Sequence, residues 1–201
     1  MICRLFGSAK AVRKIADDND VKIIAYSDGA TCSAAFGWAS IADEIIANPN
    51  ARVGSVGVVI QLYNDSKYLE KLGVERSFVY AGKNKIPFDK AGAFTDDFIS
   101  SLQESVDKSY TQFTNFIATN RNISVDDVVN TNARVFDAEE AMKVGFVDKI
   151  MEIEEFEEYL NNSDNLTNVN RTPYLNFNTS ETGKNMKTVE HYRDWETRII
   201  S

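Results

Sequence analysis

The sequence predicts an α/β domain with mostly parallel strands. Three observations predict it. Short, largely apolar runs such as residues 21–27 (VKIIAYS) and 146–150 have the composition of buried strands. These runs alternate with segments of helical period, the order that builds parallel sheets. Gly73 and Gly145 stand where helical segments end, as C-terminal caps do.

The elements follow in order. Ser8 is placed to cap a helix over residues 9–17, with Ala11, Val12 and Ile15 on one side. Residues 21–27 form the first strand, broken by Asp28-Gly29. The stretch SAAFGWASIADEI, rich in Ala and aromatics, reads as one buried helix packed closely on a sheet. Residues 52–61 read as a strand punctuated by Gly54 and Gly57, residues 65–72 as a short helix closed by Gly73, and residues 76–80 as another strand. The longest helix spans about residues 96–119. Phe98, Leu102, Val106, Tyr110, Phe113 and Ile117 form its continuous apolar stripe. Thr95 is its cap, and Asp96 and Asp97 suit the positive end of its dipole. Asp137 and Glu140 form a capping pattern for a helix through Val144. A last strand over 146–150 and an acidic helix over 153–160 complete the core, residues 1–160.

From residue 161 the composition changes. NNSDNLTNVNRTPYLNFNTSETGKN is polar and Asn-rich, without periodicity, and reads as a linker or tail over 161–201. Its last stretch, MKTVEHYRDWETRIIS, regains helical character and is a candidate start of a scaffold region.

Bulk properties narrow the function. With 201 residues the chain is sized for one domain and an appendage. A net charge of -8 argues against a nucleic-acid partner, because phosphate binding needs a basic surface. No apolar run approaches the ~20 residues that span a bilayer. Cys3 and Cys32 fit neither a zinc site nor a disulfide framework and read as reduced thiols. These features point to the cytoplasm.

The only histidine, His191, lies in the tail, so the core lacks a Ser-His-Asp or Cys-His arrangement. Carboxylates are many, but no pair stands out as a glycosidase pair. Ser33 follows a strand and an Asp-Gly turn at the head of a small-residue helix. There the Ala34 N–H and the helix N-terminus face a developing oxyanion. The alternative is a plain cap or small residue. Serine needs a base, and a neutral lysine can serve. Lys83 and Lys85 follow a strand; the alternative is a pair of solvated lysines. No metal or cofactor is called for.

Four segments in order then carry a resemblance. DGATCSAAFGWASIADEIIANP, VGSVGVVIQ, LEKLGV…VYAGKNKIPF and ARVFDAEEAMKVGFVDKI are similar to segments of the peptidase S49 family, over about residues 10–150. The family includes signal peptide peptidase A and phage head-maturation proteases. The resemblance implies a Clp-protease/crotonase-like fold. It also implies a Ser33/Lys85 dyad with Ser55, in Gly54-Ser55-Val56-Gly57, orienting the lysine. A polypeptide substrate and a ring or dome of several copies are implied too. The family carries an upstream Ser-Pro-Gly-Gly-like loop that supplies half the oxyanion hole. The first residues here read MICRLFGSAK, so the chain is expected to lack that loop and the strands before it. Losing one such donor costs about 10²–10³ in rate. With no membrane anchor expected, the reading favours the phage branch, a prohead protease cleaving scaffold or capsid proteins. The alternatives are a bacterial signal peptide peptidase-like protease, a non-catalytic capsid scaffold or assembly protein, and a crotonase-like coenzyme A enzyme.

Overall fold

A computed structural model describes residues 2–82 and 85–162. Apart from residues 161 and 162, the expected tail lies outside them. The fold has the α/β class and the mostly parallel strands that the sequence predicts.

The first sheet consists of β1 (Ile24–Ser27), β3 (Glu44–Ala47) and β6 (Lys149–Ile150), all parallel, with β3 in the centre. The second consists of β2 (Ala30–Cys32), β4 (Arg52–Gly54) and β5 (Val135–Asp137). Here β2 and β4 run parallel, and β5 is antiparallel to β4. Helix α1 (Ile2–Asp18) packs on α2 (Ala34–Ala39) and on α4 (Asp96–Arg121). Their shared core contains Leu5, Ala9, Phe36, Phe113 and Ile117. The Phe36 ring lies 4.6 Å from that of Phe146, which meets Phe136 edge-on at 6.0 Å, so one aromatic cluster joins α2 to the second sheet.

The caps on α4 and α6 (Ala138–Lys143) form as expected. Thr95 Oγ accepts the Phe98 N–H, and the Asp137 carboxylate accepts the Glu140 N–H at 2.8 Å. Between α3 (Ser66–Lys71) and α4 no strand forms among the described residues. Helix α5 (Val125–Asn130) and strands β2 and β5 were not anticipated.

Four elements differ from expectation. The stretch read as one helix divides: α2 stops at Ala39, and Glu44–Ala47 becomes the central strand. Ile45, Ile46 and Ala47 are fully buried, the environment of a parallel strand covered on both faces. The turn between is fixed by Asp43, whose carboxylate accepts the Ile23 N–H and the Arg13 guanidinium. Residues 55–61 and 76–80 carry strand-like composition but have no ladder partner among the described residues, and Val59, Val79 and Tyr80 are exposed. Helix α1 begins at Ile2, so Ser8 lies inside it and donates to the Leu5 carbonyl instead of capping.

The C-terminal helix α7 (Ile153–Asn161) is clasped to the first sheet. The Glu44 carboxylate, nearly buried, receives Lys22, Lys149 and the Tyr159 hydroxyl. Phe156 stacks on Tyr26 at 4.3 Å. No helix among the described residues is long and apolar enough to cross a membrane.

Candidate active site

Strand β2 ends at Cys32 and α2 begins at Ala34, so Ser33 is the single residue on a strand-to-helix turn. Its backbone has φ +55° and ψ −121°, a conformation that L residues rarely adopt. Such strain costs about 1–3 kcal/mol and persists only where neighbours dictate it. The side chain makes no capping hydrogen bond and is exposed. A serine on a turn of this kind holds its hydroxyl clear of the sheet. As the first helical residue, Ala34 has an N–H with no intrahelical acceptor, beside that hydroxyl.

The neighbouring strand repeats the geometry. In the parallel register Cys32 faces Gly54, so Ser33 and Ser55 are the residues that follow the last ladder pair on adjacent strands. Ser55 also has a left-handed φ, +53°. The Ser33 N–H donates to the Gly54 carbonyl at 2.8 Å, and the Ser55 N–H donates to the Arg134 carbonyl at 2.8 Å. Gly54 has φ +124°, and a Cβ there would lie 2.6 Å from the Arg134 oxygen. Only glycine fits that position.

Lys85 lies on the segment between α3 and α4. It is exposed, and its N–H donates to the Gly82 carbonyl. It lines a cleft of about 640 Å³ with Asp97, Ser100, Ser101 and Glu104 from the first turns of α4. Ser33 is not among the lining residues, and no hydrogen bond joins the two side chains among the described residues. The strand register brings Ser33, Ala34 and Ser55 to one edge, and Lys85 lies on the exposed segment that leads into α4. Cys32, next to the turn, has a free thiol directed at the Arg52 carbonyl at 3.6 Å. Burial pushes its pKa up, which keeps it a protonated, weak nucleophile.

Sequence reasoning missed the support behind the turn, at Arg134 and Ala133. The adjacency of two strained serines depends on a strand register. The one local sign was the pair of glycines at 54 and 57.

Comparison with known proteins adds a family. The sequence model of peptidase family S49 matches residues 15–168. The capsid assembly protease C of Escherichia phage lambda is 29% identical over 151 residues, 75% of this chain and 34% of that protein. A putative signal peptide peptidase SppA of Enterococcus faecium is 28% identical over 175 residues, 86% of this chain and 51% of that protein. The chain thus spans from about a third to a half of these relatives' length. Among solved structures, an enoyl-CoA hydratase/carnithine racemase from Magnetospirillum magneticum overlays with a TM-score of 0.36 at 11% identity. It covers 70% of this chain and 36% of that one, a likeness too weak to carry an argument.

Proposed function

Because this chain belongs to peptidase family S49, we propose that it carries the catalytic core of a serine endopeptidase with Ser33 as nucleophile and Lys85 as base. The observation that carries the reading is the strained strand-to-helix turn that presents the Ser33 side chain, exposed and without a capping hydrogen bond, beside Ser55. In the reaction a neutral Lys85 amine takes the Ser33 proton as Oγ bonds to the peptide carbonyl carbon. The Ala34 N–H stabilises the oxyanion. The resulting ammonium then protonates the leaving amine as the C–N bond breaks. Water, deprotonated by the same amine, hydrolyses the acyl ester and frees Ser33. Ser55 orients the amine.

A lysine amine loses its proton near neutral pH when it is desolvated. Lys85 is exposed, so the cover must come from a bound polypeptide or from a second copy of the chain. This supports a homo-oligomeric working form. The likeness to a phage capsid assembly protease favours scaffold or capsid proteins as substrates, cleaved in the host cytoplasm or prohead. The likeness to SppA over most of the chain favours a second substrate class, signal peptides.

The test is hydrolysis of an unfolded polypeptide across a pH series. Cleavage that rises with pH, disappears in Ser33→Ala and loses its pH dependence in Lys85→Ala supports the reading. Cleavage that survives in Ser33→Ala refutes it. Parallel assays with a phage scaffold protein and a signal peptide separate the two substrate classes.

A further inference from the structure

The turn at residues 132–134 has no place in the chemistry above, yet it is among the most constrained pieces of backbone in the molecule. Asn132 and Ala133 are consecutive non-glycine residues with φ +48° and +55°. Two left-handed residues in a row hold only where the surroundings over-determine them. Here the Arg134 N–H closes the turn on the Thr131 carbonyl at 3.0 Å, and the Asn132 N–H bonds the Val129 carbonyl. Thr131 is buried, its hydroxyl on the Val128 carbonyl. On the far side, the Arg134 guanidinium pairs with Glu140 and lies over the Phe136 ring. The turn is therefore anchored at both ends.

What it presses on is the serine edge. The Arg134 carbonyl holds the Ser55 N–H and sits where a Gly54 side chain would be. A Cβ on Gly57 would lie 2.8 Å from the Ala133 Cβ. The Gly54 carbonyl in turn holds the Ser33 N–H. We infer that the turn at 132–134 is a positioning device that sets the Ser33 hydroxyl through Gly54 and Ser55. The inference rests on reading Ser33 as the nucleophile. Asn132, Ala133 and Arg134 touch no reacting atom; they fix the backbone on which the nucleophile stands.

Gly57 allows a direct test. Its φ is not left-handed, so alanine is sterically acceptable there except for the Ala133 contact. Gly57→Ala should push the two segments apart, and Ala133→Gly in the same chain should remove the clash. Three readouts are taken on the full chain: amide hydrogen exchange at Ser33 and Ser55, the rate of fluorophosphonate labelling at Ser33, and the melting temperature. The expectation for Gly57→Ala is faster exchange at both amides and labelling slowed by about 10²-fold, the scale of a 1 Å misplacement. The double variant should restore both. Two results overturn the inference: Ser33 exchange and labelling at wild-type rates in Gly57→Ala, or a double variant that regains its melting temperature but not its labelling. If the unaltered chain is never labelled while the exchange pattern follows the prediction, the nucleophile assignment fails and the mechanical coupling stands.

Discussion

Replacing Ser33 by glycine should make the protein more stable than replacing it by alanine, although both changes remove the nucleophile. At φ +55° and ψ −121° the cost lies in the Cβ, which alanine keeps and glycine lacks. The strain released is about 1–3 kcal/mol. Against it stands the greater freedom of glycine in the unfolded chain, about 0.4–1 kcal/mol. The Ser33 side chain makes no capping hydrogen bond and is exposed, so removing the hydroxyl forfeits little else. The balance favours Ser33→Gly over Ser33→Ala by about 1 kcal/mol, or about 2–4 °C in Tm for a chain of this size. Thermal unfolding by circular dichroism, with the three proteins at equal concentration, measures it. A Ser33→Gly protein that melts at or below Ser33→Ala would refute the claim that this turn stores backbone strain.

Other expectations follow from the same geometry. Gly54→Ala places a Cβ 2.6 Å from the Arg134 carbonyl and should abolish labelling of Ser33 by a fluorophosphonate while lowering Tm. Phe146→Ala opens a cavity between Phe36 and Phe136 and should cost about 3–5 kcal/mol in urea unfolding. Burial alone would raise the Glu44 pKa, but hydrogen bonds from Lys149, Tyr159 and Lys22 outweigh it and hold the carboxyl below its usual range. The stability this contributes is complete above the unfolded-chain value of about 4.3 and is lost as pH falls through the lower folded value. The stability advantage of the wild type over Glu44→Gln should therefore shrink as pH falls below the unfolded-chain value in acid unfolding curves.

Where the signal was local, it was legible in the sequence. Thr95 and Asp137 as caps, Gly73 and Gly145 as helix ends and the stripe from Phe98 to Ile117 all rest on neighbours within a few residues. The position proposed for the nucleophile was singled out from local signals too, a strand, an Asp-Gly turn, a serine and a run of small residues, although the strand β2 directly before it was not. The failures are tertiary. The sequence ADEII has helical neighbours and no breaker, and only the presence of β1 and β6 on either side makes it a central strand. Residues 76–80 have strand composition and no partner strand among the described residues, so composition alone misled. The Arg134 carbonyl behind Gly54 was out of reach, because it is a backbone atom eighty positions away brought near by the antiparallel pairing of β4 and β5.

The claim on which the rest depends is that the hydroxyl on the turn between β2 and α2 is a reactive nucleophile. Peptide mapping by mass spectrometry after treatment with a fluorophosphonate tests it directly. The account predicts one adduct, on Ser33, unaffected by Cys32→Ala and formed much more slowly when Lys85 is replaced by alanine. An adduct on any other serine, with Ser33 unmodified, would contradict it.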